Sequence, residues 1–377
     1  MLNMAEAVVD PDAIAHNTAV HARAAAGAGV LAVVKADGFG HGAAPVARAA
    51  LAGGASWLGV TSRAEALALR AAGIDAPTLL WMYPPTETFD DLLRARVDVS
   101  VGAVAALEAV AEAANRTGIV AEVHLKADTG LSRNGAPADE WSQLVTWARK
   151  FELAGALRVR GVWSHLANAE APGDPGLHRQ LAAFDAARRT AATAGLEPPI
   201  AHLANSAATL QVPQARYDLV RVGIGLYGIE PVPGKTFGLR PAMTVRAQIL
   251  LTKRVPVGTG VSYGPDFVTD RETTLALVPL GFADGVPRQS AGRGCVAIHG
   301  VRCPIVGRVA MDQIVVDVGD LRVRAGDVAV MLGPGGNGEP TAREWAEWAG
   351  TNPHDILTGI GARLPRLYEP AQTSSTS

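Results

Sequence analysis

Between about residues 30 and 230 the chain alternates short β-branched runs with alanine-rich helical stretches, about eight times over. The candidate strands are Leu31–Lys35, Trp57–Thr61, Thr78–Met82, Asp98–Val101, Ala121–Lys126, Arg160–Ser164, Ile200–Leu203 and Leu219–Ile224. Helical stretches such as Ala43–Ala52, Arg63–Ala72, Val104–Arg116 and Leu177–Ala194 lie between them. Several close on glycine, which accepts the left-handed conformation that ends a last helical turn. Neighbouring parallel strands need a long crossover, and eight repeats of this length have the size and rhythm of a (β/α)8 barrel of the TIM type. A doubly wound open sheet would use about six strands and usually a GxGxxG fingerprint after the first. The glycines of KADGFGHG do not have that spacing.

Past the barrel pattern the composition changes. Residues 231–241, PVPGKTFGLRP, form a Pro/Gly-rich linker. The runs that follow, MTVRAQILLTKRV, TTLALVPLGF, GCVAIHGVRCPIVGRV, DQIVVDVG and AGDVAVMLG, are strand-like and punctuated by turn signals. The expected division is therefore a barrel over 1–235, a mainly-β domain over 236–370 and a disordered tail, AQTSSTS, over 371–377. The first ten or so residues are candidates to pair with the β-domain. With 48% hydrophobic residues in 377, the chain can bury a core in each domain.

A net charge of −2, with acids and bases interspersed, points to no nucleic-acid or polyanion partner. The opening MLNMAEAVVDPD has neither the basic nor the apolar stretch of a secretory signal, and no run is long enough to span a bilayer. Cys295 and Cys303 fit neither a CxxC pair nor a zinc site, so they read as structural thiols in a reducing cytoplasm. No metal is expected.

In a barrel, chemistry gathers at the C-terminal ends of the strands. Lys35 ends the first, inside LAVVKADGFGHG. A lysine at the inner end of a buried strand loses hydration, which lowers its pKa and makes it a usable amine nucleophile or base; the alternative is a lysine that snorkels out to solvent. Lys126 ends the fifth strand, with Arg133 in the loop beyond it. His165 follows the sixth, Asn205 and Ser206 the seventh, and Arg221, Gly223 and Ile224 the eighth. Taken singly, His165 could be a satisfied core histidine and Arg221 a structural ion-pair partner. Five strand ends aiming polar groups at one face argue for a site.

Ser206 can open a helix, and Gly223 and Ile224 offer backbone N–H groups; barrels often bind phosphate between these two loops. Phosphate there and a desolvated lysine on the first strand fit pyridoxal 5'-phosphate held as a Schiff base. A sugar-phosphate enzyme would share the phosphate site, but its lysine would more often have a carboxylate base beside it. None is placed for that.

The ordered set VVKADGFGHG, KADTGLSRNG, WSHLANAE, HLANSAA, DLVRVGIGLYG, GVSYG, GFADG and GRVAMDQ resembles the alanine racemase family, fold-type III pyridoxal-phosphate enzymes, over roughly residues 5–368. The resemblance implies a barrel followed by a β-domain, in homodimers whose active sites lie between one barrel and the partner's β-domain. It implies racemisation of L- and D-alanine by two bases, supplying D-alanine for peptidoglycan. One group cannot reach both sides of a planar carbanion. Lys35 then holds the cofactor and serves the D-face, and Tyr263, from the other subunit, serves the L-face. A tyrosine with an ordinary pKa of about 10 needs help; His165 and Arg221 would form the polar chain behind it, and cationic surroundings favour the phenolate. Arg221 would also face the pyridine nitrogen and, unable to give up its proton, keep that nitrogen neutral. Arg133 would hold the cofactor's phenolic oxygen and the substrate carboxylate. Lys126 matches a lysine that many members carbamylate. Met311, beside Asp312, would supply a backbone donor to the substrate carboxylate from the partner. Asn205, Ser206, Gly223 and Ile224 would surround the phosphate.

The chain departs from the family pattern at four positions. Phe39 stands for a tyrosine whose hydroxyl donates to the phosphate, His354 for a tyrosine that reaches the phosphate and gates the site, Phe282 for a tyrosine at the entrance, and Ala310 for a cysteine. Losing one hydrogen bond to a charged acceptor costs about 1.5–3 kcal/mol, so Phe39 implies weaker cofactor retention unless His354 or water substitutes. A paralogue acting on serine or another amino acid, in a biosynthetic or inhibitor-resistance pathway, is an alternative. A decarboxylase of the same plan would place an acid, not Arg221, at the ring nitrogen and would lack Tyr263. A non-catalytic cofactor-binding barrel would not need the β-domain.

Overall fold

The computed structural model describes residues 3–370; the tail 371–377, expected to be disordered, lies outside the described residues. The chain divides into two compact units. One takes in Ile14–Gly38 and Ala43–Leu239, the other the residues up to Ala13, Phe39–Gly42 and the chain from Arg240. A first strand, β1 (Ala5–Val9), belongs to the second unit.

The larger unit is the expected parallel barrel. Its strands are β2 (Gly29–Val33), β3 (Trp57–Val60), β4 (Thr78–Leu80), β5 (Asp98–Val101), β6 (Ala121–Lys126), β7 (Leu157–Trp163), β8 (Ile200–His202) and β9 (Leu219–Val222). They run in the order β8-β7-β6-β5-β4-β3-β2-β9, each pair parallel. Between β8 and β9 single bonds close the ring: Asp218 N donates to Ala201 O at 3.0 Å and Arg221 N to Ala204 O at 2.9 Å. Residues of β3, β4 and β5 are buried throughout, as strands covered on both faces must be. The barrel interior is unusually polar. Asp98, Ser100, His124, Lys126, His202 and Arg221 are all buried there beside Trp163.

One boundary differs from expectation in a way that matters. The first barrel strand stops at Val33, not at Lys35. Lys35 opens a tight left-handed turn in which Ala36, Asp37, Gly38 and Phe39 have φ of 52°, 51°, 60° and 52°. Gly38 N donates to Val34 O at 2.9 Å, and the Asp37 carboxylate accepts from Ala43 N at 2.8 Å. Left-handed backbone costs a non-glycine residue roughly 1–2 kcal/mol, so these bonds offset a real strain.

The second unit is a nine-stranded sheet with a short ribbon. Its remaining strands are β10 (Met243–Gln248), β11 (Leu251–Val255), β12 (Gly260–Val261), β13 (Phe267–Val268), β14 (Thr273–Val278), β15 (Cys295–Ile298), β16 (Val301–Val306), β17 (Ile314–Gly319), β18 (Val328–Leu332) and β19 (Arg366–Tyr368). The large sheet runs β11-β14-β17-β16-β15-β18-β10-β1-β19, and β12 pairs with β13. β1 pairs antiparallel with β10, Ala5 opposite Ala247, and parallel with β19. Val255, Val261, Leu275 and Val306 pack as one apolar cluster with Phe267 and Val315. Phe39–Gly42 is bound into this unit: Arg366 Nε donates to Gly40 O at 3.0 Å, and a side chain on Gly42 would run into the Tyr368 hydroxyl. Cys295 and Cys303 are buried free thiols, and burial pushes Cys303 up to about 11, so they are poor nucleophiles. Among the described residues no helix is long and apolar enough to cross a membrane.

Candidate active site

The polar residues of the barrel meet at the C-terminal ends of its strands. Lys35 lies just beyond β2, and its amine is held below the ordinary lysine range by burial and by Arg133, with Glu65 pulling the other way. Glu65 caps the helix Arg63–Ala71 and also accepts the Ala36 N–H at 2.7 Å, so one carboxylate orders both the helix start and the lysine turn. Lys126 ends β6, buried, with Nζ 4.3 Å from the centre of the Trp163 ring. Burial, Arg221 and Arg133 bring it down to about 8, against a smaller opposite effect of Asp128.

Arg221 points from β9 into the barrel mouth. Its Nη1 donates to His202 Nδ1 at 3.2 Å, and its Nη2 to Ser164 O at 2.7 Å, Leu203 O at 3.1 Å and His165 Nδ1 at 3.2 Å. Burial lowers Arg221 to about 9, still above neutral pH, and four acceptors around two nitrogens demand the protonated guanidinium. His165 is brought down to about 3 by burial and then by Arg221, Arg133, Lys126 and Lys35. That histidine is neutral, and its surroundings register four converging cations.

At the other side of the mouth, the Ser206 hydroxyl accepts from Gly223 N at 3.0 Å and Gly225 N at 3.3 Å. The Asn205 side chain is committed to capping, accepting from Ala208 N at 3.0 Å. Ile224 follows Gly223 in a short 3-10 turn. A side chain on Gly225 would overlap the His21 ring and crowd Ser206, so bare backbone lines this cradle. Four cations, with Glu65 and Asp128 as the opposing charges, and a hydroxyl with backbone amides suit an anionic ligand that carries a phosphate and reacts with an amine. Pyridoxal phosphate is such a molecule, and the donor set fits it.

The remaining expected residues belong to the β unit. Tyr263 sits in the turn between β12 and β13, 69% exposed. Met311 and Asp312 form a second exposed turn: Ala283 N donates to Met311 O at 3.0 Å, while Arg363 pairs with Asp312 at 2.5 Å and with buried Asp284 at 3.0 Å. His354 is exposed, with its ring 5.9 Å from that of Phe39.

Sequence models for "Alanine racemase, N-terminal domain" and "Alanine racemase, C-terminal domain" match residues 9–231 and 242–368. The chain belongs to the alanine racemase family. It is 52% identical to the alanine racemase of Thermobifida fusca (strain YX) over 369 residues, 98% of this chain and 99% of that protein. Its structure is similar to that of alanine racemase from D-cycloserine-producing Streptomyces lavendulae, with a TM-score of 0.96 and 46% identity over 98% of each chain. It also resembles the alanine racemase of Bartonella henselae solved with covalently bound pyridoxal phosphate, with a TM-score of 0.87, 30% identity, and coverage of 98% of this chain and 100% of that one. The cofactor of the alanine racemase family is thus the one the donor set suits.

Four buried residues below Arg221 had no role assigned from sequence: Asp98 and His124 lie outside the quoted motifs, while Trp163 and His202 stand inside WSHLANAE and HLANSAA. The available signal was polarity at a period of two inside buried strands: Asp98 and Ser100 in β5, His124 and Lys126 in β6.

Proposed function

We propose that this protein interconverts L- and D-alanine with pyridoxal phosphate. The observation that carries the reading is the partly desolvated Lys35 amine beside a cationic cluster that outweighs its acids. Full-length kinship to alanine racemases in both domains supports it.

When bound, the cofactor draws electrons from the substrate's Cα and makes its C–H bond acidic. Lys35 would hold the cofactor through its amine, and the lowered basicity of that amine suits it to take or return a proton on one face of Cα. Tyr263 of a second copy serves the other face, so the active form is a homodimer with shared sites. Arg221 would donate to the ring nitrogen without giving up its proton, a role that suits proton exchange at Cα over transamination. His165 presents Nε2–H toward the tyrosine. Ser206, Gly223 and Ile224 would hold the phosphate, with Asn205 capping the helix that opens at Ser206. Arg133 and, from the second copy, the Met311 N–H beside Asp312 would orient the substrate carboxylate. Lys126 bears a carbamate that positions Arg133. The two buried free thiols suit a reducing cytoplasm, where the enzyme would supply D-alanine for peptidoglycan.

A chiral assay over alanine, serine and a wider amino-acid panel, with added cofactor, tests the reading. Interconversion of alanine with exchange of its α-hydrogen for solvent deuterium is expected. No exchange would sink it, and preference for serine would turn the reading to the paralogue.

A further inference from the structure

The interior of a (β/α)8 barrel is normally filled by branched aliphatic side chains. Below Arg221 it holds a chain of polar contacts instead. Arg221 Nη1 meets His202 Nδ1 at 3.2 Å, His202 Nε2 meets His124 Nδ1 at 2.9 Å, and His124 Nε2 meets Asp98 Oδ2 at 3.3 Å. His124 and His202 are fully buried and Asp98 is 3% exposed. At the far end Arg160 Nη1 lies 3.2 and 3.4 Å from the Asp98 oxygens. Polar groups buried this deeply cost free energy unless every member is satisfied, so an all-polar column is an expensive way to fill a core.

The direction of each bond follows from what each group can do. A guanidinium only donates, so His202 Nδ1 must accept. A neutral imidazole has one N–H, so that of His202 is on Nε2 and is given to His124 Nδ1. His124 in turn carries its proton on Nε2 and gives it to Asp98. A doubly protonated His124 is incompatible with this order, because its Nδ1–H would oppose the His202 N–H. By the same argument Arg221 Nη2 makes His165 Nδ1 an acceptor and leaves Nε2–H on its outward side. One arginine sets the tautomers of three histidines.

We propose that Asp98, His124 and His202 are positioning residues for Arg221: a one-way relay that begins at the guanidinium and ends on a buried carboxylate, fixing the plane and charge of Arg221 and, through it, the tautomer of His165. The inference rests on reading Arg221 as the group that faces the cofactor's ring nitrogen. The relay lets a carboxylate deep in the barrel, itself paired with Arg160, offset a guanidinium it does not touch. On the site side the Lys126 amine, Arg133 and neutral His165 bring no negative charge; a carbamate on Lys126 would add one from that side, whereas Asp98 supplies its own from inside the barrel. Packing agrees with the geometry. Gly161, on β7 beside His124, has no side chain because a Cβ there would strike the His124 ring at Nδ1, the acceptor in the relay. Trp163 stacks on His202, with ring centres 5.3 Å apart and planes 3° off parallel, so that ring cannot turn over.

Histidine-selective 15N labelling of the full chain with cofactor bound reads the tautomers directly. His202 and His124 should both show Nε2–H between about pH 6 and 8, where an unconstrained histidine would titrate. Asp98→Asn keeps an acceptor and removes the charge, and Gly161→Ala pushes a methyl group into the His124–His202 contact. In each, kcat should fall about ten- to a hundredfold in both directions, as expected for losing a bond to a charged group, with KM within about threefold. The absorption band of the bound cofactor should change its pH dependence as well. An Nδ1–H or imidazolium His202 in the unaltered protein overturns the relay. So does an Asp98→Asn protein whose kcat and cofactor band are unchanged. Should Asp98→Asn fail to fold, the 15N spectrum and Gly161→Ala still decide. Absent solvent exchange at alanine Cα would remove the proposed function while leaving these tautomers as read.

Discussion

Lys35 and Lys126 are both drawn below the ordinary lysine range by burial and neighbouring cations, yet the two shifts serve different ends. At about 8, Lys126 has roughly a tenth of its amines uncharged at pH 7, against a trace for a lysine at about 10.4. The ammonium gives up one proton, the uncharged amine attacks CO2, the N–C bond forms as a C=O π bond opens, and a second proton leaves, so a cation becomes an anion beside Arg221 and Arg133. The protein incubated with 13C-bicarbonate should give a carbamate resonance that Lys126→Ala abolishes, and its absence would leave Lys126 a plain cation over Trp163. Phe39 raises a separate question of grip. Its ring is buried at φ 52° near His354, where the family usually has a tyrosine hydroxyl. Phe39→Tyr should tighten cofactor binding about ten- to a hundredfold, the worth of one hydrogen bond to a charged acceptor. Unchanged affinity, measured by cofactor titration after dialysis, would mean that other donors already satisfy the phosphate.

Among the elements, the helix Arg63–Ala71 does the most to hold the lysine turn. Its Glu65 is pushed up by burial but lowered overall by the N–H groups of Ala36, Thr61 and Ser62 and the Thr61 hydroxyl. A carboxylate whose folded pKa lies below its unfolded one stabilises above the unfolded value, about 4.5, and loses that contribution as pH falls through the folded value. Cofactor-free protein should therefore loosen at the Lys35 turn below about pH 4.5. Glu65→Gln should lower stability at pH 7 by about 1–3 kcal/mol and flatten the acid limb of a urea-midpoint profile; an unaltered limb would assign the acid loss elsewhere. The barrel strands were legible because each is a short apolar run followed by a helical crossover, and several observed bounds fall within a residue or two of the expected ones. The stop at Val33 was less so, since Lys35 and Ala36 suit strand or turn, and what decides is a local bond from Gly38 to Val34 together with the tertiary bond from Ala36 to Glu65. The histidine column was missed for a different reason. His124 and His202 stand three-dimensionally adjacent but 78 residues apart, and no local pattern announces that two strands share a ring contact.

At the scale of the molecule, one chain carries two sets of site residues in two units: Lys35, Lys126, Arg133, His165 and Arg221 in the barrel, Tyr263, Met311 and His354 with the β-sheet. If catalysis pairs a barrel with the Tyr263 of another copy, the defects of Lys35→Ala and Tyr263→Phe must complement. A heterodimer of the two variants contains one site with both lysine and tyrosine intact and one site lacking both. Random reassembly of equal amounts makes half the dimers mixed, each with one working site, so activity should recover to about a quarter of the unaltered level. Each variant alone should stay far below that. Tyr263→Phe alone should slow proton removal from the L-isomer more than from the D-isomer, because Lys35 still serves the other face. No recovery on mixing, in a sample shown by mass spectrometry to contain heterodimers, would place both bases in the same copy and require a different source for the second proton.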